Sequence, residues 1–331
     1  MISNFEIAAI VVLSVIIIFC VGYLIAGNIK KKKKKAKEET ETPANPEKIK
    51  EYEGLLKQLC RNSVNLEISG KTAYIRGATR FGGVPDVPEN FEWPYFTTDG
   101  MDDKEVKPRP LAFLAQFNLA EIALYDNENL LPKTGILSFF YETDSMRWGY
   151  QEQDRGCAKV FWFEDVTALS AATCPSDLTD EKRFPALNIK LKNQKSYPDG
   201  EDFYVAHELD YRTTIDDFLA AEKALGVEIP ENCSKLLGWA NHIQGNMTCD
   251  CELIDKGYDT TAVWNGGMPK DQLRKIELDS LDWILLFQLD TVEHDGFELM
   301  FGDEGRIYFY IKKEHLLKKR FDKVWLVLQC G

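Results

Sequence analysis

The sequence lacks the short motifs that identify the common nucleotide-binding and hydrolytic enzymes. It has no Walker loop, no GxGxxG after a strand-like segment, no GxSxG and no HExxH. No motif therefore identifies the chain as a P-loop NTPase, a dinucleotide-binding enzyme, a GxSxG hydrolase or a zincin. We therefore favour a protein without enzymatic activity and predict no cofactor, although an enzyme stays open as an alternative.

Cysteine is too sparse for a disulfide-stapled secreted protein. Eight cysteines lie at irregular spacing in 331 residues. That pattern fits free thiols in a reducing compartment better than a dense disulfide framework.

Positive charge is scarce outside one short block. Residues 1–37 hold seven lysines and one acidic residue, which leaves 33 basic and 52 acidic residues in the rest of the chain. A body with a net charge of −19 repels nucleic-acid phosphates. DNA or RNA is therefore not expected as a partner.

A long uncharged apolar run, residues 7–26, comes directly before those lysines. About 20 helical residues span a hydrocarbon core of roughly 30 Å. A cleaved signal peptide would carry its positive charge before the run, whereas lysines after a span remain in the cytoplasm. We expect residues 1–29 to be a single-pass cell-membrane anchor, with the N-terminus outside and the C-terminal domain cytoplasmic.

Residues 30–47 are predicted to be a stop-transfer segment and a flexible linker. Lysines beside a membrane can bind anionic lipid headgroups at about 1 kcal/mol each. The six consecutive candidates are Lys30, Lys31, Lys32, Lys33, Lys34 and Lys35. The stretch that follows, AKEETETPANP, has no large apolar residue and is typical of a spacer.

Residues 48–331 show short strand-like segments and a few amphipathic helices. Apolar residues at three-to-four spacing predict a first helix that ends near Arg61. Helices are also predicted at 214–225 and 269–278, and strands at 111–117, 135–141, 159–163, 283–289, 297–301, 306–311 and 324–328. Many short strands joined by turns favour an antiparallel α+β fold.

Two passages of this domain follow the same order. LAFLAQFNL, GILSFFYE and KVFWFEDV in one are matched by WILLFQLDT, GRIYFYIK and KVWLVLQC in the other. Gln116 aligns with Gln288, and Arg80 aligns with Lys235. We interpret the pattern as an internal duplication into two similar half-sheets, at about 64–200 and 201–331, with a ligand cleft at their joint.

The segments GGVPDVP, PLAFLAQFNL, LLGW with QGNM, and LMFGDEGRIYFYI with KVWLVLQCG resemble the bacterial YwqG-like family. The resemblance extends from about residue 55 to residue 331 and leaves the apolar run and the lysines outside it. It implies a mostly antiparallel α+β domain and brings no catalytic residues.

Three sets of residues could carry function. A ligand cleft could be lined by Gln116, Gln288, Trp148 and Trp162, although the glutamines could equally satisfy backbone groups and the tryptophans could be core. An acid–base site could use His294, Asp295, Asp303, Glu304 and Arg306, although the same residues suit ordinary turns. A metal could bind His242, Cys249 and Cys251, although buried free thiols are the simpler interpretation.

Taken together, these patterns favour a membrane-tethered cytoplasmic binding or scaffolding module. Its partner would be a protein or a small molecule held between the two halves. The alternative is a hydrolase that uses His294 with acidic residues, or a Cys/His metal site.

Overall fold

The computed structural model describes residues 45–207 and 211–331. Within them, residues 48–331 form one compact unit. Up to residue 196 the elements are α1 (Pro46–Leu59), β1 (Arg61–Lys71), β2 (Arg80–Phe81), β3 (Asp86–Val87), β4 (Tyr95–Thr98), β5 (Lys107–Pro110), β6 (Ala112–Asn118), α2 (Leu119–Ile122), β7 (Ile136–Tyr141), β8 (Ala158–Phe163), β9 (Ser170–Ala171) and β10 (Leu187–Ser196).

Helices dominate the middle of the chain, and strands return near its end. The remaining elements are α3 (Gly200–His207), α4 (Ile215–Ala224), β11 (Lys235–Leu236), α5 (Thr248–Asp255), α6 (Thr260–Ala262), α7 (Lys270–Asp279), β12 (Trp283–Leu289), β13 (Val292–His294), β14 (Phe297–Leu299), β15 (Arg306–Lys312), α8 (Lys313–Leu317) and β16 (Trp325–Gln329).

One antiparallel sheet of ten strands organises the domain. Its strand order is β16-β15-β12-β11-β1-β10-β2-β6-β7-β8. The two longest strands, β1 and β10, lie at the centre and pair along nearly their whole length. The first flank consists of β2, β6, β7 and β8, and its strand β2 pairs with β10. The second flank consists of β11, β12, β15 and β16, and its strand β11 pairs with β1.

This topology corrects the expected fold class. The prediction of two half-sheets is wrong, because hydrogen bonds run without a break from one flank of the sheet to the other. The physical reason is that β1 and β10 fill the position where a joint between separate sheets was expected.

The expected membrane architecture is also corrected. No helix among the described residues combines the length and apolar character needed to cross a bilayer. The structure therefore does not support the transmembrane helix in the predicted fold class or the predicted single-pass localisation. The segments on which that prediction depended, residues 7–26 and Lys30–Lys35, lie outside the described residues.

Each flank of the sheet contains a buried glutamine that holds the loop beside it. Gln116 Oε1 accepts a hydrogen bond from the Asp86 backbone N–H at 2.9 Å, and Gln288 Oε1 accepts one from the Asn241 backbone N–H at 2.9 Å. The Nε2 groups donate to Asp86 Oδ2 at 2.6 Å and to Asn241 Oδ1 at 3.3 Å. Asp86 and Asn241 therefore occupy equivalent positions in the two flanks.

The short strands β2 and β11 are equivalent in the same way. Arg80 pairs with Gln116 across the ladder, and Lys235 pairs with Gln288. Each residue begins a two-residue strand that lies next to the central pair. A basic side chain thus stands at the same place on both sides of the centre.

The main core lies against the sheet, and a smaller cluster holds the helices near its centre. Along β1, Val64 and Leu66 join the main core, because side chains two residues apart share a face of a strand. In the smaller cluster, side chains from α1, α3 and α4 pack together: Tyr52, Leu56, Phe203, Phe218 and Ala221. This cluster positions α3 and α4 beside the central strands.

Candidate functional site

A polar cavity of about 620 Å³ lies over the centre of the sheet. Its walls come from β1, β10, β11, the end of α4, the loop that follows α4, and the loop after β11. Polar lining groups include Ser63, Asn65, Gln194, Ser196, Glu222, Lys235, Asn241, His242 and Arg306. The central strands β1 and β10 therefore meet β11 and β15 of one flank at this cavity.

Lys235 is the most unusual side chain in this cavity. It is 6% exposed, and no hydrogen bond or ion pair joins its Nζ to another described residue. Burial lowers the pKa of Lys235 to about 8, since a low-dielectric environment disfavours the charged amine. A buried amine beside a cavity, with no hydrogen bond or ion pair to the described part of the chain, is a strong binding group.

The equivalent position in the other flank is closed by an ion pair. Arg80 Nη1 lies 3.2 Å from Asp86 Oδ2, and the side chains are 2% and 0% exposed. In the second flank, Asn241 stands where Asp86 stands in the first. An amide carries no charge, so Lys235 lacks the counter-ion that Arg80 has.

His242 lies between two carboxylates beside Lys235. Its Nδ1 is 2.5 Å from Asp199 Oδ2, and its Nε2 is 3.8 Å from Asp202 Oδ1. Burial disfavours the imidazolium, but the carboxylates of Asp202 and Asp199 outweigh it and raise the pKa of His242 to about 9. We therefore assign His242 as a cation at neutral pH.

The start of α3 explains why the two aspartates converge on His242. Asp199 Oδ1 accepts hydrogen bonds from the backbone N–H groups of Glu201 and Asp202 at 3.0 and 3.1 Å. This is the N-cap arrangement that satisfies the free N–H groups of a first helical turn. It leaves Asp199 Oδ2 free to face His242, and the first turn brings Asp202 to the other side of the ring.

The loop that carries His242 is held by buried side chains from the sheet. Gln329 Oε1 accepts hydrogen bonds from the backbone N–H groups of Ile243 and Gln244 at 2.9 and 3.0 Å. The Tyr308 hydroxyl donates to the Asn241 carbonyl at 2.8 Å. The imidazole is thus held in place both by hydrogen bonds to the backbone of its loop and by the contacts of its ring.

Two acidic groups near His242 titrate close to neutral pH. Burial raises the pKa of Asp202 to about 6 and that of Glu222 to about 7. Near neutral pH, small changes in surroundings therefore alter the protonation of both carboxyls. Of the two, Glu222 lines the cavity.

The stability of the protein should fall as the pH rises from 6.5 to 9. The folded-state pKa of His242, about 9, lies above its ordinary value of 6.5. The contribution of protonated His242 to the free energy of unfolding is therefore complete below pH 6.5 and is lost as the pH rises to 9. The slope should approach about 1.4 kcal/mol per pH unit for this one proton, measured by urea unfolding of the wild type and of His242→Gln.

The difference between those two proteins isolates His242 from other titrating groups. Lys235 acts in the opposite sense, because its folded-state pKa of about 8 lies below its ordinary value and its contribution to stability grows above pH 8. If the free energies of unfolding of the wild type and His242→Gln differ by the same amount from pH 6.5 to pH 9, the assignment of His242 as a cation is contradicted.

Asp199, Asp202 and His242 also place one potential metal-ligand atom each within 4.8 Å of one another. Two atoms bound to one zinc ion stand about 3.3 Å apart or more. The 2.5 Å between His242 Nδ1 and Asp199 Oδ2 is instead a hydrogen-bond distance. We interpret the trio as an ion-pair network in which His242 and Asp202 are buried and Asp199 is partly exposed.

The profile of the family described as "Domain of unknown function (DUF1963)" matches residues 79–330. The chain belongs to the DUF1963 family. YwqG is itself a DUF1963 member, which agrees with the resemblance found in the sequence. No curated protein matches the chain. The DUF1963 match includes Lys235, His242 and both aspartates, whereas it leaves α1 and β1 outside.

The predicted ligand-cleft residues are not together in this DUF1963 domain. Gln116 and Gln288 are fully buried and bind backbone groups. Trp148 is 44% exposed, and Trp162 donates from Nε1 to the Thr134 carbonyl at 3.0 Å. None of the four predicted residues lines the central cavity.

The predicted acid–base residues are also divided. His294 and Asp295 form a 3.2 Å contact at the turn of the β13–β14 hairpin. Arg306 instead pairs with Asp290, with 2.8 Å between Nε and Oδ2. Glu304 and Arg306 line a second cavity of about 530 Å³, which His294, Asp295 and Asp303 do not line. The structure therefore does not bring the five residues to one site.

The predicted metal ligands separate in a similar way. His242 faces the aspartates, whereas Cys249 and Cys251 are buried free thiols in α5. Cys249 Sγ lies 3.4 Å from Ser280 Oγ. Burial raises the pKa of Cys249 to about 12 and holds the pKa of Cys251 well above its ordinary value.

Sequence reasoning missed Lys235, Asp199, Asp202 and Glu222 as site residues. Lys235 had a usable signal, because the repeat aligns it with Arg80. The aspartates had none, since they meet His242 only through the turn between β10 and α3.

Proposed function

We propose that this DUF1963 domain is a small-molecule-binding module whose central cavity holds a ligand through an anionic group on Lys235. The anionic group would be a carboxylate or a phosphate. The observation that carries the proposal is the buried amine of Lys235, which faces the cavity without a counter-ion among the described residues.

The energetic argument rests on charge compensation. A buried ammonium without a partner is destabilising, and an anion that reaches it supplies a charge-assisted hydrogen bond. The first flank provides its own anion in Asp86. The second flank has Asn241 instead, and this leaves room for an external anion.

The cavity has the size and lining of a small-molecule site. Ligand cavities commonly measure about 300–1,000 Å³, and this one measures about 620 Å³. Around Lys235, the amides of Asn65, Gln194 and Asn241 and the hydroxyl of Ser196 offer hydrogen bonds to a polar ligand. Arg306 is less available, because Asp290 already pairs with it.

The hydrolase alternative has weaker support. A general base must be unprotonated at the working pH, whereas two carboxylates favour the protonated form of His242. His242 is therefore not poised to activate a water molecule. Among the described residues, the carboxylate that contacts His294 is that of the exposed Asp295.

Small anions should stabilise the wild type through Lys235. Inorganic phosphate should raise the melting temperature above that in sodium chloride of equal ionic strength, because ligand at about 100 times its Kd adds about 2.7 kcal/mol to stability. Lys235→Gln should abolish this difference. Differential scanning fluorimetry and isothermal titration calorimetry measure both effects.

Two further variants make the test specific. Lys195→Gln removes an exposed lysine from the rim of the same cavity and should keep the phosphate response. Asn241→Asp should lose the response although Lys235 is intact, because it recreates the internal counter-ion of the first flank. Equal phosphate responses in the wild type and in Lys235→Gln would refute the proposal.

A further inference from the structure

We propose that Lys235 is a nucleophile, and that it forms an imine with the carbonyl group of a small oxo acid in the central cavity. This inference rests on the proposed function and names its ligand class: a molecule that carries both an anionic group and an aldehyde or ketone.

The comparison of the two flanks is the first argument. Arg80 and Lys235 hold equivalent positions, but a guanidinium stays protonated under all ordinary conditions, whereas a buried lysine can become a free amine. The first flank combines its permanent cation with Asp86. The second flank combines its titratable amine with the uncharged Asn241 and with an open cavity.

The protonation of Lys235 is the second argument. With a pKa of about 8, roughly a tenth of the amine is neutral at pH 7. An ordinary lysine is neutral in fewer than about one molecule in a thousand at that pH. A neutral lysine amine is the form that attacks carbonyl compounds.

The reaction requires proton transfer but no oxidant or reductant. The Lys235 Nζ lone pair attacks the carbonyl carbon, a C–N bond forms, and the carbonyl oxygen takes up a proton. The resulting hydroxyl group accepts a second proton and leaves as water, while Nζ loses its two hydrogens in forming the C=N bond. The net change is amine plus carbonyl to imine plus water.

Glu222 is suited to carry these protons. Its side chain lines the same cavity, and burial raises its pKa to about 7. A general acid or base is most effective when its pKa lies near the operating pH. His242 and its two aspartates lie beside the same space and hold a further proton.

The product keeps the charge pairing on which the proposed function depends. A protonated imine carries its positive charge on Nζ. In a 2-oxo acid such as glyoxylate, the carboxylate is bonded to the carbonyl carbon and therefore lies next to that nitrogen. Binding and bond formation thus use the same side chain without leaving a buried charge unpaired.

Reductive trapping tests the inference. The full-length protein is incubated at pH 7 with glyoxylate and sodium cyanoborohydride, then digested and mapped by mass spectrometry. Lys235 should be modified at least about tenfold more than Lys195, which lines the same cavity but is exposed. Modification of Lys235 no faster than that of Lys195 would overturn the inference.

Lys235→Arg separates this inference from the proposed function. The variant keeps the positive charge and should retain the phosphate-dependent rise in melting temperature, but arginine cannot be trapped. If phosphate stabilises the wild type and Lys235→Arg while Lys235 resists trapping, the imine is wrong and the binding module stands. If phosphate stabilises neither protein, the proposed function fails.

Discussion

Replacing His242 by glutamine should lower the free energy of unfolding by about 3–5 kcal/mol, the usual cost of removing one partner from a buried ion pair. The substitution leaves the Asp199 and Asp202 carboxylates without the cation between them. Asp202 is 3% exposed, so water cannot replace the imidazolium there, whereas the Asp199 side chain is 37% exposed and can be solvated. The loss should therefore lie toward the lower end of this range. Urea unfolding near pH 7 measures the loss.

His294→Gln is the matched control. Its ring also contacts an aspartate, but Asp295 is 69% exposed, and exposed ion pairs contribute about 0–1 kcal/mol. If His242→Gln costs no more than His294→Gln, the network around His242 does not stabilise the fold as we have argued.

Replacing Asp86 by asparagine should cost a similar amount, about 3–5 kcal/mol. Arg80 would remain charged at 1% exposure without its counter-ion. In addition, Asp86 Oδ2 accepts hydrogen bonds from Gly77 N–H, Gln116 Nε2 and Arg80 Nη1. The asparagine amide could take two orientations. With its nitrogen at the position of Oδ2, it would face these three donors. With its oxygen there, its nitrogen would face the Tyr74 hydroxyl, which donates to Asp86 Oδ1 at 2.7 Å.

The double variant Arg80→Lys/Asp86→Asn tests whether the unpaired Arg80 cation explains the stability that Asp86→Asn loses. The double variant recreates the lysine and asparagine of the second flank, and lysine can lose its proton where arginine cannot. We expect it to recover part of the stability that Asp86→Asn loses. Asp322→Asn, which breaks an exposed pair with Arg320, should cost less than about 1 kcal/mol. A double variant less stable than Asp86→Asn alone would contradict this account.

The flanking strands were predictable because their sequences are strongly apolar. The strands predicted at 111–117 and 283–289 lie within one residue of β6 and β12. Both are buried along almost their whole length, and each is apolar apart from its glutamine and, in β6, the final asparagine. Such runs, bounded by turn residues, are the most visible sign of a strand in a sequence.

The central strands were missed because their outward face is polar. β1 reads RNSVNLEISGK and β10 reads LNIKLKNQKS. Several of these polar residues line the cavity, so the residues that form the site made the strands look like loops. The error in fold class followed directly, since the sheet is continuous only through these two strands.

The site itself was predictable only in part. His242 was found, but its partners were sought among nearby cysteines, whereas Asp199 lies 43 residues away in the chain. The alignment of Arg80 with Lys235 was visible in the sequence. That Lys235 lacks a counter-ion depends on Asn241 and on the three-dimensional environment, which no local pattern contains.

The position of β1 also has a consequence for how the chain is made. This strand is synthesised before every other strand of the sheet, yet its partners β10 and β11 begin at residues 187 and 235. Its neighbours therefore emerge from the ribosome long after it does, and pairing over such sequence distances is slow. The first flank can assemble from nearby segments before β11 is synthesised, whereas the cavity is completed only when synthesis is nearly over.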